Sequence, residues 1–297
     1  MKYRRLGKTN LNVSVVGVGT WQFGGEWGIN YTQSEATDIL LRAKELGINL
    51  IDTAECYGNH TSEQFIGQAI KDQRQDWILA SKFGHKFHVN FERTQLFKPA
   101  EVIQQLDESL LALQTDYLDL YQFHSGSNAD FDNPELWDVL AKQVQAGKIR
   151  HIGLSVSPND NVHQISQATK YGIEVVQIVY NRLDRLPEAH ALPSCLEQDL
   201  GVLARVPLAS GLLSGKYKPG TQFTNPDDVR SLRENDSVQE QLREVEKIRQ
   251  NEVPAGVDMA AWALAWCLEN PAVTAVIPGC KNPAQVESNV RAVDFVK

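Results

Sequence analysis

The sequence predicts an α/β protein in which strands and helices alternate and close into a (β/α)8 TIM barrel. Eight apolar runs of strand length are each followed by a segment with helical periodicity, a pattern typical of parallel crossovers. The chain has 297 residues, a length that one such barrel fills. No Gly/Ser or Pro tract divides it, so we expect a single domain over residues 1–297.

Two short segments precede the first strand–helix unit. The stretches "YRRL" and "LNVS" lie on either side of "GKTN", within residues 3–14. The first stretch is too short to begin a crossover unit. We therefore interpret these residues as a β-hairpin that closes the bottom of the barrel.

The first half of the chain contains four units. In its first helix, apolar residues recur at helical spacing, and Thr32 with Glu35 fits a capping box. Pro99 fits the first turn of a later helix. The predicted strands are residues 15–19, 48–52, 77–82 and 117–124, and the predicted helices are residues 34–47, 61–70, 98–114 and 134–146.

The second half continues the alternation and completes eight strands. An open, doubly wound sheet stays possible from alternation alone, but eight units favour a closed barrel. A long polar connection follows the seventh strand. The predicted strands are residues 150–156, 174–181, 201–208 and 272–279, and the predicted helices are residues 161–172, 188–199, 236–250, 257–270 and 282–293.

Composition excludes some classes of function. The formal net charge is −8, which argues against nucleic acid as a main partner. No apolar run is long enough to span a bilayer, and the first ten residues lack the apolar core of a signal peptide. We expect a cytoplasmic protein with a small-molecule partner, and its oligomeric state stays open. No zinc or redox motif is indicated by the spacing of the four cysteines, Cys56, Cys195, Cys267 and Cys280.

Chemistry in a parallel barrel belongs at the carboxyl ends of its strands. The second strand ends in Asp52, with Tyr57 in the following loop, and the next two strands end in Lys82 and His124. Each residue alone has an ordinary explanation as a cap, a rim residue, a solvated lysine or a structural histidine. Their occurrence at adjacent strand ends predicts one proton-transfer site.

The four side chains suit proton donation to a developing alkoxide. A free tyrosine is a poor acid at neutral pH, and we expect the ammonium of Lys82 to lower the pKa of Tyr57. A buried lysine needs an acid, and Asp52 is the available partner. His124 would donate a hydrogen bond to a substrate oxygen. An aldolase with Lys82 as Schiff-base nucleophile is a competing hypothesis, against which Tyr57 and the pairing with Asp52 argue.

Aromatic residues near these strand ends predict part of the substrate pocket. Two histidines of the same region, His85 and His88, are expected to be solvated. The sequence does not identify the substrate. The candidate aromatic residues are Trp21, Trp27, Phe83 and Phe87.

Several segments, taken in chain order, resemble the aldo-keto reductase superfamily, near its bacterial members and its potassium-channel β-subunit branch. The resemblance covers almost the whole chain. It implies an NADP(H)-dependent oxidoreductase that reversibly reduces aldehydes and ketones, with Tyr57 as general acid assisted by Lys82 and Asp52, and His124 orienting the carbonyl. A cofactor-binding regulatory subunit with little turnover is the alternative. The segments are "GVGTWQFGG", "IDTAECYGN", "ASKFG", "DYLDLYQFH", "HIGLSVS", "VVQIVYN", "VPLASGLLSGKY" and "VIPGCKNPAQVESNV".

The resemblance also implies the cofactor-binding residues, and no metal. The positions implied at the nicotinamide end are Thr20, Trp21, Asp52, Ser155, Gln177 and Arg205. Those implied along the pyrophosphate are Pro207, Leu208, Ser210, Gly211, Leu213 and Lys216. Those implied at the adenosine-phosphate end are Gly279, Lys281, Gln285 and Asn289.

Three positions depart from the pattern of the family. Val156 follows Ser155 where many members have asparagine, and Arg205 replaces an aromatic residue that stacks on the nicotinamide. Gln285 stands where many members carry an arginine for the 2′-phosphate. Lys281 and Arg230 are the expected substitutes, so NADP(H) is favoured over NAD(H).

Overall fold

The computed structural model describes residues 1–296 and contains a hairpin followed by a barrel of eight parallel strands. Each barrel strand pairs with its neighbours in sequence order. Parallel bridges from Val16 to Val276 and from Gly19 to Gly279 join the first strand to the last, so the barrel is closed. The hairpin strands are β1 (Tyr3–Arg5) and β2 (Asn12–Ser14), and the barrel strands are β3 (Val18–Gly19), β4 (Leu50–Asp52), β5 (Ile78–Phe83), β8 (Leu118–His124), β9 (Ile149–Ser155), β10 (Ile173–Val179), β11 (Gly201–Arg205) and β12 (Ala275–Val276). The predicted (β/α)8 fold is confirmed.

The N-terminal hairpin lies at the amino-terminal end of the barrel strands, as predicted. Gly7 forms a bridge with Leu200, the residue just before β11, and the Lys8 amide donates to the Asp199 carbonyl at 2.8 Å. Leu6 is completely buried in the apolar layer inside the barrel. The hairpin therefore closes the bottom and leaves the opposite end for the site.

Helices cover the outside of the barrel. The first begins at the predicted capping box, in which the Thr32 amide donates to the Glu35 carboxylate at 2.8 Å and Thr32 Oγ1 accepts from the Glu35 amide. Burying a large aliphatic side chain in this layer stabilises the fold by about 1.5–3 kcal/mol. The helices are α1 (Gln33–Glu45), α2 (Thr61–Ile70), α3 (Pro99–Ala112), α4 (Asn128–Phe131), α5 (Pro134–Gln145), α6 (Val162–Ser166), α7 (Ala191–Glu197), α8 (Asn235–Asn251), α9 (Met259–Glu269) and α10 (Pro283–Val290).

Two predicted helices are shorter than the sequence pattern indicates. The helix expected over 161–172 is α6 followed by a 3-10 turn, and the one expected over 188–199 is a 3-10 turn followed by α7. Pro193 explains the second case, because proline has no amide hydrogen and fits only the first turn of a helix. A helix that begins at Ala191 places Pro193 in that turn.

A second hairpin, β6 (His85–Val89) and β7 (Glu92–Gln95), lies between β5 and α3, in a stretch for which the sequence pattern predicts no strand. It lies over the mouth of the barrel. The amide of Phe91 donates to Glu26 Oε1 at 2.8 Å, and the Arg93 guanidinium pairs with the same buried carboxylate. This hairpin forms one wall of the cavity at the mouth.

The barrel interior changes from apolar to polar between two successive layers of side chains. Residues two apart on a strand point to the same face, so each apolar residue is followed by a polar one nearer the mouth. The apolar layer contains Leu50, Ala80, Leu120, Val175 and Leu203. Two residues further on, the same strands carry Asp52, Lys82, Gln122, Gln177 and Arg205. This alternation delivers the polar side chains to the carboxyl ends of the strands.

Candidate active site

Lys82 is the buried centre of the polar layer. Its Nζ donates to Asp52 Oδ2 at 2.7 Å, to the Thr53 carbonyl at 2.7 Å and to the Tyr57 hydroxyl at 3.2 Å. These three acceptors use all three ammonium hydrogens. Burial lowers the pKa of Lys82, but attraction to Asp52 and then Tyr57 outweighs burial, so its pKa is raised. The lysine is therefore charged and held in one position.

The other carboxylate oxygen of Asp52 accepts hydrogen bonds from two side-chain amides. Asp52 Oδ1 accepts from Gln177 Nε2 at 2.7 Å and from Gln122 Nε2 at 3.1 Å. Gly153 on β9 leaves space for Gln122, because a Cβ there would lie 2.7 Å from Gln122 Cγ. Gln122 was not among the predicted site residues. The signal that marks it is a single amide inside the apolar run "LYQF".

Tyr57 lies between two aromatic rings at the cavity wall. Its ring stacks at 6.3 Å on Trp21 and meets His124 edge-on at 6.4 Å. Burial raises the pKa of Tyr57 to about 12, although Lys82 acts in the opposite direction. The predicted net lowering of this pKa is therefore wrong, because burial outweighs the nearby ammonium. The phenol keeps its proton at neutral pH, as a proton donor requires.

His124 is a neutral imidazole at the cavity. Burial, followed by repulsion from His85 and Lys82, holds the pKa of His124 well below its ordinary value. Nδ1 lies 3.9 Å from Cys56 Sγ. A neutral ring carries one proton, so one ring nitrogen donates and the other accepts.

His85 is not solvated as predicted. It lies partly buried on β6, and its Nε2 donates to the His124 carbonyl at 2.7 Å. The unpredicted hairpin is the reason, because it brings His85 onto the barrel mouth. His88, three residues further along, is exposed as expected.

One cavity of about 630 Å³ connects most of the predicted residues. Lys82 lies behind its wall, fully buried, and Ser155 is likewise buried just outside it. Leu213 does not face it, since its side chain packs with Leu242 and Met259. The predicted residues along the wall are Thr20, Trp21, Asp52, Tyr57, His124, Gln177, Arg205, Pro207, Leu208, Ser210, Gly211, Lys216, Gly279, Lys281, Gln285 and Asn289.

Of the four candidate pocket aromatics, Trp21 and Trp27 line this cavity. Their rings meet edge-on at 5.2 Å. Phe83 does not line it, because its ring is fully buried and packs 4.9 Å from that of Tyr121. Phe87 lies on the mouth hairpin, partly buried, and is not in the cavity wall.

Two polar groups at the β9–β11 side of the cavity have no hydrogen-bond partner. They are Ser155 Oγ and Arg205 Nε, both buried. Arg205 Nη2 donates to the Val156 carbonyl at 3.0 Å, and burial lowers the pKa of the guanidinium. Unpaired buried polar groups are uncommon in folded proteins, and a polar ligand would satisfy them.

The loop after β11 has left-handed backbone at several residues. Gly211 and Gly215 have φ values of 89° and 75°, which glycine adopts at no steric cost. Ser210 also has a positive φ of 58°. This segment turns its backbone along the cavity wall and ends at Lys216.

Two cations at the far end of the cavity differ in their surroundings. Arg230 is neutralised by Asp228, to which it donates at 2.9 and 2.5 Å, and it also binds the Tyr217 hydroxyl. Lys281 has no ion pair within residues 1–296. Burial, together with repulsion from Arg230, lowers the pKa of Lys281. This lysine is therefore available to an anionic ligand group.

Comparison with known proteins agrees with this fold. The family model of the Aldo/keto reductase family matches residues 15–297. The solved structure of the aldo-keto reductase AKR11C1 from Bacillus halodurans, in its holo form, has a TM-score of 0.83 and 32% identity, and the match covers 99% of this chain and 91% of that one.

Two relatives of equal identity to this chain are named for different functions. The NADH-specific methylglyoxal reductase of Escherichia coli (strain K12) is 32% identical, over 99% of this chain and 94% of its own. A putative voltage-gated potassium channel subunit beta of Schizosaccharomyces pombe is also 32% identical, over 99% and 88%. Across residues 1–296, the helices are too short or too polar to cross a membrane.

Proposed function

This chain belongs to the aldo/keto reductase family, and from that premise we propose that it is an NADP(H)-dependent reductase of aldehydes and ketones. Membership makes it a carbonyl-reducing oxidoreductase with a nicotinamide cofactor. The observation that carries the finer proposal is the contact of Lys82 Nζ with both Asp52 Oδ2, at 2.7 Å, and the Tyr57 hydroxyl, at 3.2 Å, beside the cavity.

Each side chain of the set has a distinct role in this proposal. The Tyr57 hydroxyl donates its proton to the oxygen of the substrate carbonyl as that oxygen gains negative charge. Lys82 stabilises the phenolate that remains, and Asp52 keeps Lys82 charged and oriented. A ring N–H of His124 orients the carbonyl oxygen. A nicotinamide cofactor, when bound, would supply the hydride.

The unpaired groups of the cavity fit such a cofactor. Ser155 Oγ and Arg205 Nε offer hydrogen bonds near the catalytic set, where the family resemblance puts the nicotinamide. The glycine-containing loop and Lys216 would lie along the pyrophosphate. Lys281, without an ion pair in the described chain, would bind the 2′-phosphate.

Cofactor preference is the finer half of the proposal. One relative is named an NADH-specific reductase, so membership of the family does not decide between the two nicotinamides. Lys281 favours NADP(H), because a cation without a carboxylate partner gains most from an added phosphate. Gln285 is less suited to that role, since its Oε1 accepts from the Lys281 amide at 2.8 Å.

A panel of aldehydes and ketones tests the proposal. Each compound is incubated with the protein and either NADPH or NADH, and the absorbance of the reduced nicotinamide is followed. We expect turnover, with a higher kcat/KM for NADPH. A Tyr57→Phe protein purified in the same way is the blank. Cofactor binding without turnover of any carbonyl would instead support the regulatory-subunit alternative.

A further inference from the structure

Glu55 is a buried acid beside the catalytic residues that the proposed mechanism does not use. It lies three residues after Asp52, and its side chain is 3% exposed. One carboxylate oxygen, Oε1, accepts from the His85 amide at 2.9 Å. The other, Oε2, is buried and has no hydrogen-bond partner. An acid in this state needs a physical explanation.

The carboxyl group of Glu55 lies close to the ring of His124 but makes no hydrogen bond with it. A Glu55 carboxylate oxygen, Cys56 Sγ and a ring nitrogen of His124 lie within 4.8 Å of one another. Because His124 Nδ1 faces Cys56, Nε2 is the nitrogen left for a ligand in the cavity. Lys82 and Arg93 act on the same cluster, and their charges oppose a divalent cation there.

The position of one proton determines what His124 can do. If the neutral ring carries its proton on Nε2, it can donate to a carbonyl oxygen in the cavity. If the proton is on Nδ1, then Nε2 can only accept, and a carbonyl oxygen gains nothing from it. A protonated Glu55 carries no charge, so the ring keeps its proton on Nε2, the form that neutral histidine ordinarily prefers. The negative charge of an ionised Glu55, within 4.8 Å of the ring nitrogen, attracts the proton and favours the second form.

We propose that Glu55 is a positioning residue that sets the tautomer of His124. As a neutral acid it keeps the His124 proton on Nε2, and as a carboxylate it draws that proton to Nδ1. The ring carries one proton before and after the shift, exchanged between its two nitrogens through water, and the proton that Glu55 loses goes to solvent, so no co-reactant is needed. Its consequence for turnover rests on the proposed function, in which a ring N–H of His124 orients the substrate.

The surroundings of Glu55 put its ionisation within an accessible pH range. Burial raises the pKa of Glu55 to about 8, the His85 amide opposes that change, and the negative charge of Glu63 adds to it. Other titratable groups on the neighbouring elements surround Glu55 and Cys56. They are Glu63 on α2, Lys82 on β5, His85 and Arg93 on the mouth hairpin, and Tyr121 and His124 on β8.

Nitrogen NMR of the cofactor-free protein labelled with 15N-histidine tests the proposal without turnover. The His124 signals are assigned from their loss in His124→Gln. We expect the Nε2–H form of His124 near pH 6.5 and the Nδ1–H form near pH 9.5 in the wild type. In Glu55→Gln, which is neutral at every pH, we expect the Nε2–H form at both pH values.

Two control variants isolate Glu55. Glu63→Gln removes another buried acid, one bound to His60 and Ser81, and should keep the tautomer change, with its midpoint at a lower pH because the charge of Glu63 no longer raises the pKa of Glu55. Cys56→Ala should also retain the tautomer change, since a thiol is a weak donor. A tautomer change that persists in Glu55→Gln, that is missing in the wild type, or that disappears in Cys56→Ala would overturn the proposal.

Turnover adds a second readout. We expect kcat of the wild type to fall about 30-fold between pH 6.5 and pH 9.5, following the ionised fraction of an acid with a pKa of about 8. Glu55→Gln should stay within about threefold across the same range. A tautomer change in a protein that reduces no carbonyl would contradict only the proposed function. Carbonyl reduction without a tautomer change would contradict only the role of Glu55.

Discussion

The two sides of the cavity differ in how far the protein satisfies its own polar groups. On the β4–β5–β8 side, Lys82 has three acceptors and Asp52 has three donors, all from the chain itself. On the β9–β11 side, Ser155 Oγ and Arg205 Nε remain buried and unpaired. The difference indicates that the Lys82–Asp52 pair is built before any ligand binds. The cofactor side is completed only by its ligand.

Breaking the satisfied side should have the largest effect. Lys82→Met leaves the buried Asp52 without its cation, so we expect the free energy of unfolding to fall by about 3–5 kcal/mol. We also expect kcat for carbonyl reduction to fall by about 10²–10⁴-fold. Urea unfolding followed by circular dichroism and a turnover assay measure the two losses. A control that adds Asp52→Asn should recover stability but not turnover, whereas a Lys82→Met protein as stable as the wild type would remove the distinction between the two sides.

A substitution at the far end of the cofactor side should change the affinity for the cofactor and leave the stability of the fold nearly unchanged. Lys281→Ala removes a cation that has no ion pair, so stability should change by less than about 0.5 kcal/mol. We expect the Kd for NADPH to rise about tenfold and the Kd for NADH to rise less than about twofold. Calorimetric titration with each cofactor gives both values. Equal losses for the two cofactors would show that Lys281 does not bind the 2′-phosphate.

Ser155, at the nicotinamide end of the cofactor side, allows a test with a smaller expected change in cofactor affinity. Ser155→Ala deletes a hydroxyl that has no partner, so the folded protein loses no hydrogen bond and its stability should be nearly unchanged. The Kd for NADPH should rise by about 2–10-fold, the value of one hydrogen bond. Calorimetric titration beside thermal unfolding measures both. A clear loss of stability with unchanged affinity would reverse the assignment.

The sequence predicts side-chain positions best where the two-residue period of a strand determines which way each side chain points. Asp52 and Lys82 follow apolar residues by two, so strand alternation alone predicts that they meet. The mouth hairpin was missed because its turn has Asn90 but not the glycine that usually follows it, and Phe91 stands there with a positive φ of 70°. Without the hairpin, His85 could only be expected in solvent.

Energetic balances were harder to predict than positions. The sequence correctly indicates that Lys82 acts to lower the pKa of Tyr57. It does not reveal how deeply Tyr57 is buried, and burial determines the net direction of the pKa shift. Glu55 left no sequence signal, because an acid in a loop is ordinarily solvated. Its burial depends on the hairpin amide of His85, a contact that no local pattern indicates.

A further prediction concerns Glu55, a polar group of the catalytic side that is not satisfied. The pKa of Glu55 is raised to about 8, so the folded protein binds this proton more tightly than the unfolded chain. Its contribution to stability therefore falls as pH rises from about 4.5 to 8. Glu55→Gln should unfold a few degrees above the wild type at pH 9, with a smaller difference at pH 5. Calorimetric melting at both pH values checks this, and a difference that does not depend on pH would contradict it.

The most direct test compares kcat and cofactor Kd in Tyr57→Phe. Tryptophan fluorescence gives the Kd for NADPH, and reduction of a substrate found in the carbonyl panel gives kcat. Tyr121→Phe is the matched control, because its hydroxyl is buried, has no partner and lies away from the cavity wall. We predict that Tyr57→Phe lowers kcat by about 10²–10⁴-fold with Kd within about twofold of the wild type, and that Tyr121→Phe changes neither. A Tyr57→Phe protein with wild-type kcat would contradict the account.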